Sequence, residues 1–345
     1  MTAQKVLVVG GGISGISIAH QLEKRGVDYV VMDDDLNHCS KVAVGMVNPM
    51  SFRRTLLTWR AQVCFSEALT FYREAENKSK SSFCHQHTIR RIFSTQEEKN
   101  LWEERLDNEE FKSFLWPLTV EDNDYGAFGS GRAKGFWIDA QQFINSQRAY
   151  FENKGRWVQE SFLQEKFDPL SGTYQGNIYD AVIFCLGYRN DELPWFKDVA
   201  VQKTKGQVLT VKWDNSVQAE SIHSKAYALA IGNQEFKVGS TYEWNDATTH
   251  PTEEGKERIL KNFQSISKDS VRVMAHEAGI RPTSINRRPF VGKHRKFEKL
   301  FMMNGMGTKG YLLAPRFARE LLDFLFCNEP LPEEVNPYRN LDSSN

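Results

Sequence analysis

The first 33 residues alternate between apolar runs and a helical pattern. The run Lys5–Val9 is aliphatic after its first residue, which is typical of a strand buried on both faces. Glycines follow, and apolar residues at helical spacing then predict a helix ending near Gly26, a residue suited to a helix C-terminus. A second apolar run, residues 29–32, predicts another strand that ends at Asp33. The chain therefore begins as strand, glycine-rich turn, helix and strand.

The same patterns recur further along the chain. Residues 179–187 form an apolar strand ending in Gly187, which indicates either a plain core strand or a strand beside a cofactor. Apolar residues at three- and four-residue spacings predict helices over residues 55–76 and 95–114, which we interpret as packing or connecting helices. A further helix is predicted over residues 143–151. No stretch approaches about 18 consecutive apolar residues, so no membrane-spanning helix is expected.

Length and composition are those of an ordinary globular protein. The 345 residues are enough for about two domains, and 40% of them are hydrophobic and 26% charged. Basic and acidic residues balance at 44 each, which argues against a general nucleic-acid binder but leaves a local basic patch open. Residues 287–296 contain six Lys, Arg or His and no acid. We interpret this run as a solvated loop, with a polyanion-binding rim that includes Arg53 and Arg54 as the alternative.

Cysteine use predicts a reducing compartment. The count of five is odd and no Cys-x-x-Cys pair occurs, so neither a disulfide framework nor a zinc site is expected, and we predict no metal ion. The N-terminus lacks the layout of a signal peptide because its apolar run is short and ends in glycines. A cytoplasmic location is the resulting expectation.

The glycine-rich turn has the spacing Gly10-x-Gly12-x-x-Gly15. In a strand-to-helix turn, the first glycine permits the tight bend, the second lets a pyrophosphate approach the backbone, and the third allows close helix–strand packing. The helix N-terminus offers free N–H groups and a partial positive charge. Asp33 can accept hydrogen bonds from ribose hydroxyls, and Asp34 could share this role or be a solvated loop acid. We therefore predict dinucleotide binding in preference to a plain structural turn.

The segment after this unit is rich in small residues, with Ser40, Ala43 and Gly45 preceding Pro49. It resembles the loop that lies along the pyrophosphate and under the flavin in the D-amino-acid oxidase and glycine oxidase (DAO) family of FAD enzymes. Further segments resemble motifs of that family in the same order. They are residues 137–140, 179–187, 205–209, 238–242, 279–283 with 288–292, and 304–311 with 314–315.

The resemblance implies an α/β fold with two domains. One is a Rossmann-type FAD-binding domain, and the other is an antiparallel-sheet (α+β) substrate domain, interleaved with the first in sequence. The FAD-binding domain would comprise residues 1–82, 137–200 and 277–330. The substrate domain would comprise residues 83–136 and 201–276, followed by a C-terminal tail over residues 331–345.

The motif positions also assign the residues expected to contact FAD. They are Gly10, Gly12, Ile13, Ser14, Gly15, Asp33, Asp34, Ser40, Ala43, Gly45, Met46, Gly187, Arg281, Gly305, Gly307, Thr308, Lys309 and Gly310. Met46 could equally be a packing methionine. We expect non-covalent FAD, because the C-terminal flavin loop contains no cysteine.

The family implied by this resemblance oxidises a C–N bond next to a carboxylate. The α-hydrogen leaves as hydride to flavin N5, the product imine hydrolyses, and oxygen reoxidises the flavin to give hydrogen peroxide. We therefore expect a FAD-dependent oxidoreductase for a small amine or amino acid, with oxygen as acceptor. Two alternatives stay open: an amine dehydrogenase that uses another acceptor, and an oxidase that modifies the wobble uridine of tRNA.

Such a site needs an anchor for the substrate more than a strong base. Arg281 is the first candidate, because a guanidinium can form two parallel hydrogen bonds to a carboxylate, although a structural ion pair would use the same residue. Lys309 departs from the glycine oxidase pattern, in which an arginine and an asparagine occupy this stretch. It could bind the substrate, stabilise charge on the flavin, aid electron transfer to oxygen or face solvent. Tyr242 could line the pocket or be a packing aromatic.

Overall fold

The computed structural model of the protein describes residues 4–36, 39–214 and 220–339, without the side chain of Arg53. Within these residues the helices, in chain order, are Ile13–Lys24 (α1), Cys39–Val42 (α2), Ala61–Ser79 (α3), Gln96–Leu106 (α4), Glu109–Lys112 (α5), Val120–Asp124 (α6), Ala140–Asn153 (α7), Glu253–Phe263 (α8) and Gly310–Cys327 (α9). The strands are Lys5–Val9 (β1), Asp28–Met32 (β2), Met46–Val47 (β3), Met50–Ser51 (β4), Leu56–Leu57 (β5), Cys84–Ile92 (β6), Ser130–Ile138 (β7), Trp157–Val158 (β8), Phe167–Asp168 (β9), Thr173–Tyr174 (β10), Asn177–Ile178 (β11), Ala181–Phe184 (β12), Gln202–Lys212 (β13), Glu220–His223 (β14), Tyr227–Gly232 (β15), Glu235–Gly239 (β16), Arg272–Thr283 (β17), Phe290–Lys293 (β18) and Leu300–Asn304 (β19).

Six strands form a sheet in the order β18-β19-β12-β1-β2-β8. Neighbouring strands are parallel except β18, which runs antiparallel to β19. β1, α1 and β2 confirm the strand, helix and strand predicted around the glycine-rich turn. β12 lies beside β1, so the carboxyl ends of three parallel strands meet near the start of α1, where open α/β sheets bind ligands.

The core lies on both faces of this sheet. On one face, β1 and β12 pack against α1 and α9, with Ile16, Ala19 and Phe317 fully buried. On the other face, Leu7 and Val182 pack against the small sheet formed by β11, β10 and β9. β1 is therefore covered on both sides, which is why its aliphatic run is continuous and does not alternate with polar residues.

Eight strands form a second sheet in the order β17-β13-β16-β15-β14-β6-β7-β3. Its neighbouring strands are antiparallel except for β14 and β6. The chain enters this sheet at β3, leaves it after β7, returns at β13 and leaves again after β17. The two sheets are thus interleaved in sequence, which confirms the predicted fold class. The domain boundaries stay a prediction, and the one at residue 277 falls inside β17.

The helices differ in detail from their predicted bounds. α3 begins at Ala61, later than predicted, because β4 and β5 first pair as a small hairpin. The prediction of a single helix over residues 95–114 is wrong. The segment forms two helices, α4 and α5, because the Asn108 side chain accepts a hydrogen bond from Glu110 N (2.9 Å) and caps the start of α5. No helix within the described residues is long and apolar enough to cross a membrane.

The basic run over residues 287–296 was expected to be a solvated loop, and this is wrong for its central part, which forms β18. His294 is buried and bonds through Nε2 to the Trp195 carbonyl oxygen (2.8 Å). Lys293 pairs with Glu298, and Arg295 pairs with Asp198 (3.0 Å). Acids from outside the run therefore neutralise part of the charge that looks unopposed in the sequence.

Candidate active site

The glycine-rich turn lies at the carboxyl end of β1, where side chains would not fit. Gly10 has φ +105°, and a Cβ there would overlap the carbonyl group of Cys185. A Cβ at Gly15 would overlap the carbonyl oxygen of Gly10, so glycine is what lets α1 pack this close to β1. α1 begins at Ile13 without a side-chain cap. Apart from the N–H group of Ile13, which Ser40 engages, its N-terminus is therefore open to a ligand that accepts hydrogen bonds.

Ser40 lies directly beside this helix end. Its Oγ accepts a hydrogen bond from Ile13 N (3.1 Å) and would be 3.0 Å from a Cβ at Gly12. The Ser40 carbonyl oxygen accepts a hydrogen bond from the Tyr311 hydroxyl (2.8 Å), which ties the predicted flavin loop to α9. Two predicted cofactor residues that are 28 positions apart, Gly12 and Ser40, are thus brought together at one helix N-terminus.

A small cavity of about 80 Å³ lies on the β2 side of the turn, and Gly10, Asp33 and Asp34 line it. Asp33 Oδ1 accepts a hydrogen bond from Gly11 N (2.8 Å), and burial raises the pKa of this carboxyl group. Asp34 is placed differently. Burial opposes its ionisation, but hydrogen bonds from Arg189 Nη1 (2.8 and 2.9 Å) lower the pKa of Asp34 overall. The Asp34 carboxylate is therefore engaged by Arg189, and Asp33 is the better candidate for a ribose contact.

A larger cavity of about 330 Å³ runs from the start of α1 to β17. Most of the predicted site residues line it. They are Gly12, Ile13, Ser14, Ser40, Ala43, Gly45, Met46, Gly187, Tyr242, Arg281, Gly307, Thr308, Lys309 and Gly310. Gly15 and Gly305 line neither cavity, and a Cβ at Gly305 would press on the Phe290 ring. Among the described residues of this wall there is no Asp or Glu, so the cavity suits an anion.

Arg281 lies at the β17 end of the larger cavity. Its Nη1 donates hydrogen bonds to the carbonyl oxygens of Thr241 (3.1 Å) and Lys205 (3.4 Å). The guanidinium lies over the Tyr242 ring, 4.7 Å from its centroid, and against Gly206, where a Cβ would overlap it. Within the described residues it has no ion pair, and its Nε and Nη2 have no hydrogen bond. The alternative role of Arg281 in a structural ion pair is therefore not supported, and N–H groups are left for a ligand.

Lys309 is held inside the cavity by two backbone groups. Its Nζ donates hydrogen bonds to the carbonyl oxygens of Asn48 (2.8 Å) and Met50 (3.3 Å). Burial lowers the pKa of the ammonium group to about 8. Lys309 directly precedes α9, whose first residue, Gly310, also lines the cavity. A lysine charge and a helix N-terminus thus lie at the same end of the cavity.

The structure also brings in residues that the sequence did not single out. Tyr227 lines the cavity, and burial raises the pKa of its phenol even though Arg281 lies near it. His223 lines the wall with its Nε2 3.1 Å from Met46 Sδ, and burial holds its pKa well below the usual value. They lie on two short strands, β14 and β15. Nothing in the local sequence distinguishes them from core residues.

Two cysteines, Cys39 and Cys185, also line the larger cavity. Burial raises the pKa of the Cys39 thiol to about 11 and that of Cys185 further. Both therefore stay protonated near pH 7, and protonated thiols are poor nucleophiles. The sequence did not indicate that these two cysteines line the cavity, because the expectation of non-covalent FAD rested only on the C-terminal flavin loop, which lacks cysteine.

A family model described as DAO, FAD dependent oxidoreductase, matches residues 5–324. The chain belongs to this family. The predicted resemblance is thereby confirmed, and FAD is the cofactor of the DAO family. The site fits that cofactor, because a side-chain-free turn at a helix end with a glycine N-cap lies between one small and one large cavity and lines both.

Individual relatives of this DAO chain differ in activity. Glycine oxidase of Pseudomonas aeruginosa strain PAO1 is 27% identical over 211 residues, which are 60% of this chain and 57% of that protein. The tRNA 5-methylaminomethyl-2-thiouridine biosynthesis bifunctional protein MnmC of Campylobacter jejuni subsp. doylei is 24% identical over 302 residues, 84% of this chain and 46% of that protein. The chain therefore spans about half the length of these curated relatives.

Solved structures show the same DAO fold over nearly the whole chain. Glycine oxidase from Bacillus cereus ATCC 14579 has a TM-score of 0.78 and 18% identity, covering 95% of this chain and 96% of that one. L-Proline dehydrogenase from P. horikoshii has a TM-score of 0.80 and 14% identity, covering 99% and 98%. At this level of identity the likeness extends to the fold alone.

Proposed function

We propose that this DAO-family protein oxidises the C–N bond of an amino acid or secondary amine, with bound FAD supplying the hydride acceptor at N5 and oxygen the final electron acceptor. The imine product then hydrolyses. The observation that carries the proposal is the position of Arg281. Among the described residues its Nε and Nη2 groups have no partner, and the wall of its cavity contains no Asp or Glu. Similarity to a protein named glycine oxidase, whose substrate is an amino acid, supports the proposal.

Arg281 would anchor the substrate by its carboxylate. Nη1 is occupied by two carbonyl oxygens, so Nε and Nη2 are the groups that can form a forked pair of hydrogen bonds. The Tyr242 ring beneath the guanidinium and Gly206 behind it restrict its rotation. A fixed anchor places the substrate α-carbon at a constant position, which is the main contribution such a site requires.

Lys309 would supply positive charge at the N-terminus of α9, which borders the cavity. Its two backbone acceptors fix the ammonium group but do not neutralise it. Charge and helix dipole together would stabilise negative charge that develops there during the reaction. The same ammonium would also attract an anionic substrate.

The test is a screen for anaerobic bleaching of the bound flavin with glycine, sarcosine, D-amino acids, proline and N-substituted amines. We expect bleaching by at least one of these classes, and about one peroxide per substrate when oxygen is admitted. Bleaching without peroxide would replace the oxidase by a dehydrogenase with another acceptor. A flavin that none of these compounds bleaches would contradict a small-molecule substrate.

A second candidate function is oxidation of a modified wobble uridine in tRNA. It is favoured by the MnmC relative, which matches 84% of this chain, against 60% for the glycine oxidase. Arg288 lies over the Trp59 ring (4.4 Å) and has no ion pair among the described residues, so it could contact a phosphate. Salt-sensitive binding of unfractionated tRNA would support this candidate, and bleaching by a free amino acid would argue against it.

A further inference from the structure

Lys205 is a fully buried lysine on β13, next to the cavity but outside its wall. Its Nζ contacts three oxygen atoms: Asp246 Oδ2 (2.5 Å), Thr248 Oγ1 (3.2 Å) and the His250 carbonyl oxygen (2.5 Å). An ammonium group has three N–H donors, so all of them are used. Asp246 responds as expected for the partner of a cation, since the hydrogen bond from Lys205 lowers its pKa to about 2.

These contacts fix a segment that has little regular structure, residues 240–252. Lys205 also pairs with it through its backbone, donating from N to the Glu243 carbonyl oxygen (2.8 Å) and accepting from Glu243 N (3.0 Å). Gln207, two residues along β13, donates from its side chain to Glu243 and Thr252 (both 2.9 Å). β13 thus holds both ends and the middle of the segment.

The same segment forms the surroundings of Arg281. Thr241 supplies the carbonyl oxygen that accepts from Arg281 Nη1 at 3.1 Å, and Tyr242 supplies the ring beneath the guanidinium. The second acceptor of Nη1 is the carbonyl oxygen of Lys205 itself. Anything that shifts residues 241 and 242 therefore shifts the guanidinium as well.

A charged residue at this position has a cost that an aliphatic one would avoid. Removing an ammonium group from water is unfavourable, and buried ion pairs often give no more stability than apolar side chains of similar size. An aliphatic side chain, however, cannot bind three oxygen atoms from three residues of one segment. The advantage of lysine at this position therefore lies in fixing the position of the segment, and not in added stability.

We propose that Lys205 is a positioning residue for the substrate carboxylate, acting through Arg281. The inference rests on the proposed function, because it takes Arg281 to be the anchor. Lys205 fixes residues 241–250, these fix the guanidinium, and the guanidinium fixes the substrate. Tyr242 and Trp244 are 56% and 60% exposed, so the segment is held by β13 and not by burial of its own aromatic rings.

The test compares Lys205→Met and Asp246→Asn with Lys237→Met in the FAD-loaded enzyme. Lys237 pairs with Glu277 in the same sheet and lies outside the cavity wall, so it is a matched control. We expect both test variants to raise KM about tenfold with kcat nearly unchanged, the loss of about one charged hydrogen bond. Asp246→Glu should restore most of the affinity, and Lys237→Met should leave KM unchanged.

A second readout does not depend on turnover. Amide hydrogen exchange over residues 240–252 should accelerate in Lys205→Met and Asp246→Asn but not in Lys237→Met. If Lys205→Met does not fold, Asp246→Asn, which keeps the lysine, still decides the question. An unchanged KM in Asp246→Asn, while Arg281→Ala raises KM, would overturn this inference and leave the proposed function standing. An unchanged KM in Arg281→Ala would remove the anchor and this inference together.

Discussion

Arg281 combines a fixed guanidinium with N–H groups that have no partner among the described residues. The described wall of its cavity contains no Asp or Glu, so loss of Arg281 should weaken substrate binding. We expect Arg281→Ala to raise KM for an anionic substrate by about one to two decades, from about 1.5–3 kcal/mol for a charged hydrogen bond. Arg272→Ala is the matched control, because Arg272 is an exposed arginine on the same strand. Steady-state kinetics check this, and equal KM values for the two variants would remove Arg281 from the anchor role.

Lys309 should give the enzyme an alkaline limit. Its pKa is lowered to about 8, so the cation is present below that pH and is lost as the pH rises through it. We expect kcat/KM for an anionic substrate to fall above about pH 8 in the native enzyme.

Lys309→Met tests the assignment of this limit. The variant should have a lower kcat/KM at pH 7, by about tenfold for one charged contact, and a flat profile across pH 8. The profile is measured at constant ionic strength with a substrate that does not itself titrate there. An unchanged alkaline fall in the variant would assign the limit to another group.

The predictability of single residues depends on where their neighbours lie in the chain. Gly10 and Gly15 were found from sequence because the turn that needs them is local. Tyr227 and His223 were not, because the pairing of β15 with β14 and β16 brings them to the cavity from a distant part of the chain. The pairing of Asp34 with Arg189 joins residues 155 positions apart and was missed for the same reason.

At the scale of elements, the contact between α1 and β1 depends on Gly15. Gly15→Ala would force a methyl group against the Gly10 carbonyl oxygen. We expect a free energy of unfolding lower by about 1–3 kcal/mol, as for other overpacked sites, together with a lower FAD content. Thermal denaturation and the ratio of flavin to protein absorbance measure the two effects.

Ser17→Ala is the control in the same helix. Ser17 is fully buried, and its hydroxyl group has no hydrogen-bond partner among the described residues. Its removal should keep or raise stability and leave the FAD content unchanged. Equal FAD content and stability in Gly15→Ala and Ser17→Ala would show that the close packing is not required.

Elements were predicted well where a pattern is long and local. β1, α1, β2 and β12 follow from continuous apolar runs and one helical period. The break between α4 and α5 was missed, because the apolar spacing continues through Asn108 while its side chain begins a new helix. The β4–β5 hairpin before α3 was missed because strands of two residues have no detectable period.

At the scale of the whole molecule, FAD should be held by the fold and not by a covalent bond. Cys39 and Cys185 line the cavity, but burial raises the pKa of both thiols, so neither is a thiolate near pH 7. Acid precipitation should therefore release all of the flavin into the supernatant. A yellow pellet would contradict this, and Cys39→Ala and Cys185→Ala would then identify the attachment site.

The interleaved architecture was predictable from the order of the motifs along the chain, since cofactor motifs occur at both ends and in the middle. The neutral net charge of the sequence was less informative, because it does not show which charged residues pair in the fold. Acids distant in sequence, such as Asp198 and Glu298, neutralise basic residues of the run over residues 287–296. The full substrate pocket could not be predicted, because its wall includes residues of β3, β13, β14, β15 and β17, which are far apart in sequence and meet only in the folded sheet.

The wall of the larger cavity contains residues from Gly12 to Tyr311. During synthesis, a growing polypeptide lacks part of this wall until translation has passed residue 311. The glycine-rich turn is made early, but the residues that complete the wall around it are made about 300 positions later. With FAD in this cavity, as proposed, we expect cofactor uptake to be a late step. The stability that FAD adds on binding would then reach a chain only after all the segments of the wall have assembled.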